Sequence, residues 1–261
     1  MIRTLALFIF AVSASAPVFA EESSPPWSMA DQYFDADEMA HARHHVLDHH
    51  GATRQLSIMA DRLEVQSSDE GDTLVWEGNA WYGGDVNKLW LKSEGDYSLE
   101  TDKLEDAEVQ ALWSHAISPY FDLQGGVRYD LEPKGRTHAV LGIQGLAPYW
   151  FEVDAAAFLS SEGDLTARME AEYEFRLTQR LILQPRLEAE LSAQDIPELE
   201  TGSGLASLNV GLRLRYEIVR EFAPYIGVEW QGSFGGTADY LEAADEDRDR
   251  AVFVAGVRAW F

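Results

Sequence analysis

A chain of 261 residues with 45 acidic against 20 basic side chains carries a net charge of −25. Phosphate contacts need lysine and arginine, so this balance argues against a nucleic acid as partner and suits cation attraction or plain solubility. No cysteine is present, so no disulfide braces the fold and no thiolate serves as ligand or nucleophile.

The first residues read MIRTLALFIFAVSASAPVFAEE. Arg3 precedes an apolar run from Leu5 to Val12, and Val18-Phe19-Ala20 offers a cleavage site before Glu21. The pattern predicts a removable secretory signal over 1–20. Its apolar run is too short to cross a bilayer as a helix, which takes about 20 residues. The protein is therefore expected to be exported.

Residues 21–55 form a leader holding five of the seven histidines: His41, His44, His45, His49 and His50. Asp35 and Glu38 are spaced as a capping box and Gly51 supplies a stop, so the spacing predicts a helix over 36–50. On it His41, His45 and His49 share one face with Asp48, and His44 lies beside His41. Imidazoles at i, i+4 chelate one ion and favour copper, zinc or nickel over calcium or magnesium. Met29, Met39 and Met59 place thioether sulfurs nearby. The five histidines are the candidate metal ligands, against the alternative of a solvated tail or a pH-sensitive tether.

From residue 56 to 261 the chain alternates apolar and polar positions, the period of strands with two unlike faces. In LQGGVRYDL, Leu123, Val127, Tyr129 and Leu131 oppose Gln124, Arg128 and Asp130. Twelve such segments occur: 56–66, 73–83, 88–97, 103–114, 120–131, 136–146, 149–159, 164–175, 180–191, 204–218, 223–234 and 252–261. Tight joins (GGDVN, HAISP, LAP, LTQ, VREFAP) alternate with longer or more polar ones, GGTADYLEAADEDRDR the longest. The alternation predicts an all-β transmembrane antiparallel barrel of about twelve strands, with both ends on the short-turn side. A soluble sandwich is the competing reading.

Three tight joins place proline before Tyr120, Tyr149 and Tyr225, and these tyrosines are expected to form an interfacial girdle. The last segment, AVFVAGVRAWF, puts Phe253, Ala255, Val257, Ala259 and the terminal Phe261 on one face and Arg258 on the other. A terminal aromatic on an amphipathic last strand resembles the assembly signature of outer-membrane barrels and weighs against the sandwich. On the inner wall, Glu170, Glu172, Glu174, Glu188 and Glu190 meet Arg168, Arg180 and Arg186, which predicts a salt-bridged, partly filled lumen. Only His115 and His138 lie within the barrel, and no serine–histidine–carboxylate set stands out. No catalytic residue is expected, and the chain is not read as an enzyme.

Several stretches together resemble the copper resistance protein B family: DRLEVQ (61–66), WEGNAWYGGDVNKLWLKSEGD (76–96), EVQALWSHAISPYFDLQGGVRYD (108–130), GLAPYWFEVDAAAFLS (145–160), LTQRLILQPRLEAEL (177–191) and LRLRYEIVREFAPYIGVEWQGSFGGTAD (212–239). The resemblance implies an outer-membrane barrel of a Gram-negative bacterium that confers copper tolerance by export or sequestration. It also implies a periplasmic multicopper oxidase and a small copper carrier as partners, beside copper ions and outer-membrane lipid. The leader departs from the family's long methionine-rich form: it is short and dominated by histidine. That leaves Cu(I), Cu(II) or another divalent ion open as the metal.

Overall fold

The computed structural model describes residues 28–261 except 47–48, 50–52 and 70. The expected signal over 1–20 and His50 lie outside the described residues. The chain divides into two units, Met1–Thr53 and Arg54–Phe261.

In the first unit a 3-10 turn, Ser28–Gln32, precedes the helix α1, Ala36–Val46. Asp35 caps it: its Oδ1 accepts from the backbone N–H of Asp37 at 3.0 Å and of Glu38 at 3.2 Å. Asp37 and Glu38 in the first turn and Arg43 in the last match the helix dipole. Arg43 also pairs with Asp31. Helix α1 buries none of its residues.

The second unit is a closed antiparallel barrel of twelve strands. In chain order these are β1 (Gln55–Ser68), β2 (Gly71–Gly83), β3 (Asn87–Ser98) and β4 (Lys103–Ala116). Next come β5 (Phe121–Glu132), β6 (Arg136–Ala147), β7 (Phe151–Ser160) and β8 (Leu165–Glu172, resuming at Phe175–Arg176). Last are β9 (Leu181–Ser192), β10 (Gly204–Tyr216), β11 (Phe222–Ser233) and β12 (Asp249–Trp260). Each strand pairs with its chain neighbours, and β12 returns to β1 with Leu63 opposite Val257 and Met59 opposite Trp260. Closure leaves no edge, as a chain in lipid requires.

The wall is apolar outside and polar inside. Along β6 burial alternates residue by residue: Arg136, His138 and Val140 are buried, while Thr137, Ala139 and Leu141 are exposed. Elsewhere Glu64, Glu108, Gln124, Arg186, Arg213 and Glu229 are buried, whereas Leu89, Val109, Trp113, Val127, Ile226 and Phe253 are exposed. A water-soluble fold would reverse that arrangement; a bilayer around the barrel explains it.

The interruption in β8 has a visible cause. Pro185 of β9 faces Tyr173, and proline has no N–H to donate to the ladder. Only the Tyr173 N–H crosses, to the Pro185 carbonyl at 3.2 Å. Pairing resumes at Phe175 with Leu183.

Three expectations need correction. Tyr225 is only 6% exposed and donates its hydroxyl to Glu64 Oε2 at 2.9 Å. Tyr120 and Tyr149 sit in turns and are exposed, but β11 already begins at Phe222, so the strand alternation turns Tyr225 inward. Arg180 belongs to the exposed β8–β9 turn rather than the inner wall. The join after β11 contains a helix, α2 (Gly235–Ala243), which buries Ala238; two glycines at its start and no side-chain cap leave no readable start signal.

Glycine is needed where strand and ring meet. A Cβ on Gly95 would fall 2.4 Å from the Trp76 ring and 2.5 Å from the Asp106 carbonyl oxygen. Gly95→Val is therefore expected to destabilise the barrel by about 1–3 kcal/mol. An unchanged urea midpoint would refute that packing argument.

Candidate functional site

The leader histidines come first. His41, His44 and His45 all lie on α1 and are exposed, as is His49 beyond it. The rings of His45 and His49 stand 4.4 Å apart between centroids at a tilt of 48°, the i, i+4 neighbourhood expected of a helix. Asp48 and His50 lie outside the described residues. Among the described residues, no group of three or more histidine, aspartate or glutamate side chains is assembled for a metal.

The barrel interior is held by arginines that each answer several carboxylates. Arg186 stands 2.5 Å from Glu170, 2.6 Å from Glu188, 3.3 Å from Glu172 and 3.7 Å from Glu77. Arg213 bonds both oxygens of Glu64, at 2.7 and 3.0 Å, and Glu229 at 2.9 Å. Arg168 pairs with Glu94, with Glu108 at 3.1 Å and with Glu190 at 3.2 Å. Charges drawn from strands on opposite sides of the wall meet at these guanidiniums, so the lumen is partly filled, as the mixed signs in the sequence imply. A buried charge is tolerable only when paired and hydrogen-bonded in this way.

Against this network sits an apolar cluster inside the lumen: Leu112 from β4, Val140 from β6 and Phe158 from β7, with Trp90 and Ala156 packed on it. The Arg128 guanidinium lies 4.8 Å from the Phe158 ring centroid and that of Arg168 5.8 Å, within cation–π range. A cavity of about 380 Å³ is lined in part by Met59, Asp61, Lys92, Glu152, Asp154 and Phe158. In it Lys92 pairs with Asp154 at 2.5 Å and Arg258 with Asp61 at 3.3 Å.

The structure also joins residues the sequence left apart. His138 Nε2 lies 2.8 Å from Asp130 Oδ2, and Ser160 is opposite His138 in the register. The three residue types of a hydrolytic triad are thus neighbours. The Ser160 hydroxyl, however, donates to Asp164 at 3.2 Å and accepts the backbone N–H groups of Glu162 and Asp164. It serves the β7–β8 turn. His115, at the end of β4, bonds Asn87 at 2.8 Å through Nδ1.

At the rim bearing the longer joins, Lys134 and Arg136 both reach Glu198 Oε2 at 2.6 Å. The Lys134 bond, with the Arg136 charge behind it, holds the Glu198 carboxyl below its ordinary range. A lowered carboxyl contributes its pairing above that range, about 4.3, and loses it as pH falls through the folded value. Backbone exchange at Leu199 and Glu200 should therefore be slower at neutral pH than in acid. A rate corrected for intrinsic exchange that did not change would remove the latch.

Sequence reasoning missed the Asp130–His138 pair and the lumenal apolar cluster. The signal was present: Leu112, Val140 and Phe158 occupy the inward register of their strands, where polar residues are otherwise the rule.

The family model described as "Copper resistance protein B precursor" matches residues 54–261, the whole barrel. A "Copper resistance protein B homolog" of Pseudomonas syringae pv. tomato is 42% identical over 250 residues, covering 95% of this chain and 83% of the relative. The "Copper resistance protein B" of Escherichia coli is 45% identical over 213 residues, covering 81% and 71%. Among solved structures, the NanC porin superposes with a TM-score of 0.51 at 11% identity, covering 78% of this chain and 99% of that one. That likeness concerns fold alone. Sequence over the full barrel decides the matter: the chain belongs to the copper resistance protein B family.

Proposed function

We propose that the protein acts in copper resistance at the outer membrane of a Gram-negative bacterium, binding copper ions in the periplasm and exporting or sequestering them. The observation that carries this reading is the family match across residues 54–261. The bilayer-suited exterior and the exposed imidazoles of His41, His44, His45 and His49 support it. Two neutral imidazoles one helical turn apart suit copper far better than a hard cation. The histidines gather the ion, and the net charge of −25 favours cations over anions near the protein.

Copper titration of the purified chain tests this, alongside survival of cells in copper. Replacing His41, His44, His45, His49 and His50 together with alanine should weaken binding and lower tolerance. Unchanged affinity and unchanged survival would reduce the leader to a passive tail.

A second reading draws on the filled lumen. With Arg186, Arg213 and Phe158 occupying it, the barrel binds copper and docks a periplasmic multicopper oxidase, with the small copper carrier nearby, and conducts nothing. Ion conductance separates the two readings.

A further inference from the structure

Residues 193–203 leave the barrel after Ser192 and return at Gly204, which faces Ser192 in the register. A loop whose ends are joined in this way is compact, and this one is braced within itself. Ile196 and Thr201 exchange backbone bonds at 2.7 and 3.2 Å around the turn Pro197–Leu199. Asp195 accepts the Ser203 N–H at 2.7 Å. Ile196 is only 4% exposed, although it lies outside the twelve strands.

The loop reaches well beyond its own strands. Gln194 donates to Asp164 of the β7–β8 turn at 3.1 Å. Glu198 accepts from Lys134 and from Arg136 at 2.6 Å each, so it touches the β5–β6 hairpin with β7 and β8 lying between. On the other side the Gly202 N–H donates to Thr237 Oγ1 of α2 at 2.9 Å, and α2 packs on β10. In a closed ring of twelve strands, the β5–β6 and β11–β12 connections are diametrically opposed. The loop and α2 thus bridge the outer mouth from rim to rim. Val252 agrees: near the outer end of β12 it points into the lumen, yet it is 3% exposed.

We propose that residues 193–203, with α2 seated against them, form a lid that shuts the outer mouth and is latched by Glu198. The wall is held by backbone ladders, whereas the ties to the far rim are side-chain bonds. Lys134 and Glu198 are about half exposed, and such pairs individually hold little. Gly204, at φ 97° with open space where a Cβ would stand, gives the loop a hinge at its base. The lid gates the outward route from the lumen whatever the barrel carries, so it stands apart from the copper reading.

The test uses the full chain in detergent. No cysteine is present, so Val252→Cys supplies a single thiol beneath the lid, and its rate of modification by a polar maleimide is measured. Glu198→Ala removes both bonds to the far rim and should speed modification roughly 5- to 10-fold, since two weak pairs go together. Gly202→Val should act in the same direction, because its Cβ would fall 2.5 Å from the Gly236 Cα and the Thr237 nitrogen. Lys103→Ala, on the rim at the start of β4, should leave the rate unchanged. Heat-modifiable migration shows that each barrel is folded, and Val254→Cys, the next inward position, replaces Val252→Cys should that variant misfold. Equal rates with and without the latch would overturn the lid. So would an equal acceleration by Lys103→Ala, which would mean a general loosening of the rim.

Discussion

Arg186→Ala should be the most damaging single change in the barrel. It removes the guanidinium shared by Glu170, Glu172 and Glu188, while Glu77, 3.7 Å from Arg186, keeps Arg62 at 2.7 Å. Breaking a buried ion pair from one side costs about 3–5 kcal/mol, because the abandoned charge stays desolvated. Here several carboxylates are abandoned at once, so the loss belongs at the upper end of that range. Folded, heat-modifiable protein should disappear at a lower temperature and a lower urea concentration than for the unaltered chain. Adding Glu170→Gln should recover part of the loss, since one uncompensated charge goes with it. A midpoint within about 1 kcal/mol of the original would show that water, not Arg186, neutralises this group.

Phe158→Ala is the second large effect, on permeation. Phe158 stands with Leu112 and Val140 inside the lumen, with Arg128 and Arg168 near its ring. Removing the ring takes out a buried aromatic of that cluster and frees two guanidiniums from it. Single-channel conductance in planar bilayers should rise several-fold above that of the unaltered barrel. Stability should fall by about 3–5 kcal/mol, the usual cost of truncating a buried phenylalanine. Equal conductance in the two proteins would place the constriction elsewhere, at the Arg186 layer. High conductance in the unaltered protein would count against the non-conducting reading before any substitution is made.

Much of the barrel was legible because strand alternation survives the inversion of inside and outside: a lipid-facing Leu141 and a lumenal His138 alternate as surely as core and surface do. The strand limits followed from turn residues and polar loops. Tyr225 was misplaced because a shared Pro-Tyr pair hid a difference in where the strand begins. Helix α2 was missed for want of a cap. The pairing of Asp130 with His138, eight residues apart across the β5–β6 hairpin, could have been found by laying the two strands in register. The meeting of Arg213 with Glu64, 149 residues away, could not, since it depends on barrel closure. In the leader, the Asp35 cap was readable from spacing, and the neighbouring rings of His45 and His49 follow from it.

Pro185 has one more consequence. The wall is a continuous fabric of crossing hydrogen bonds, and at Tyr173 and Glu174 it drops a stitch. Wherever the fabric is pulled, by a thinner bilayer or by unfolding, strain collects at the row with fewest threads. The stretch of the β8–β9 seam at Tyr173 and Glu174 is thus a place where the wall yields early, and its amides should exchange with solvent ahead of those in the uninterrupted β5–β6 seam.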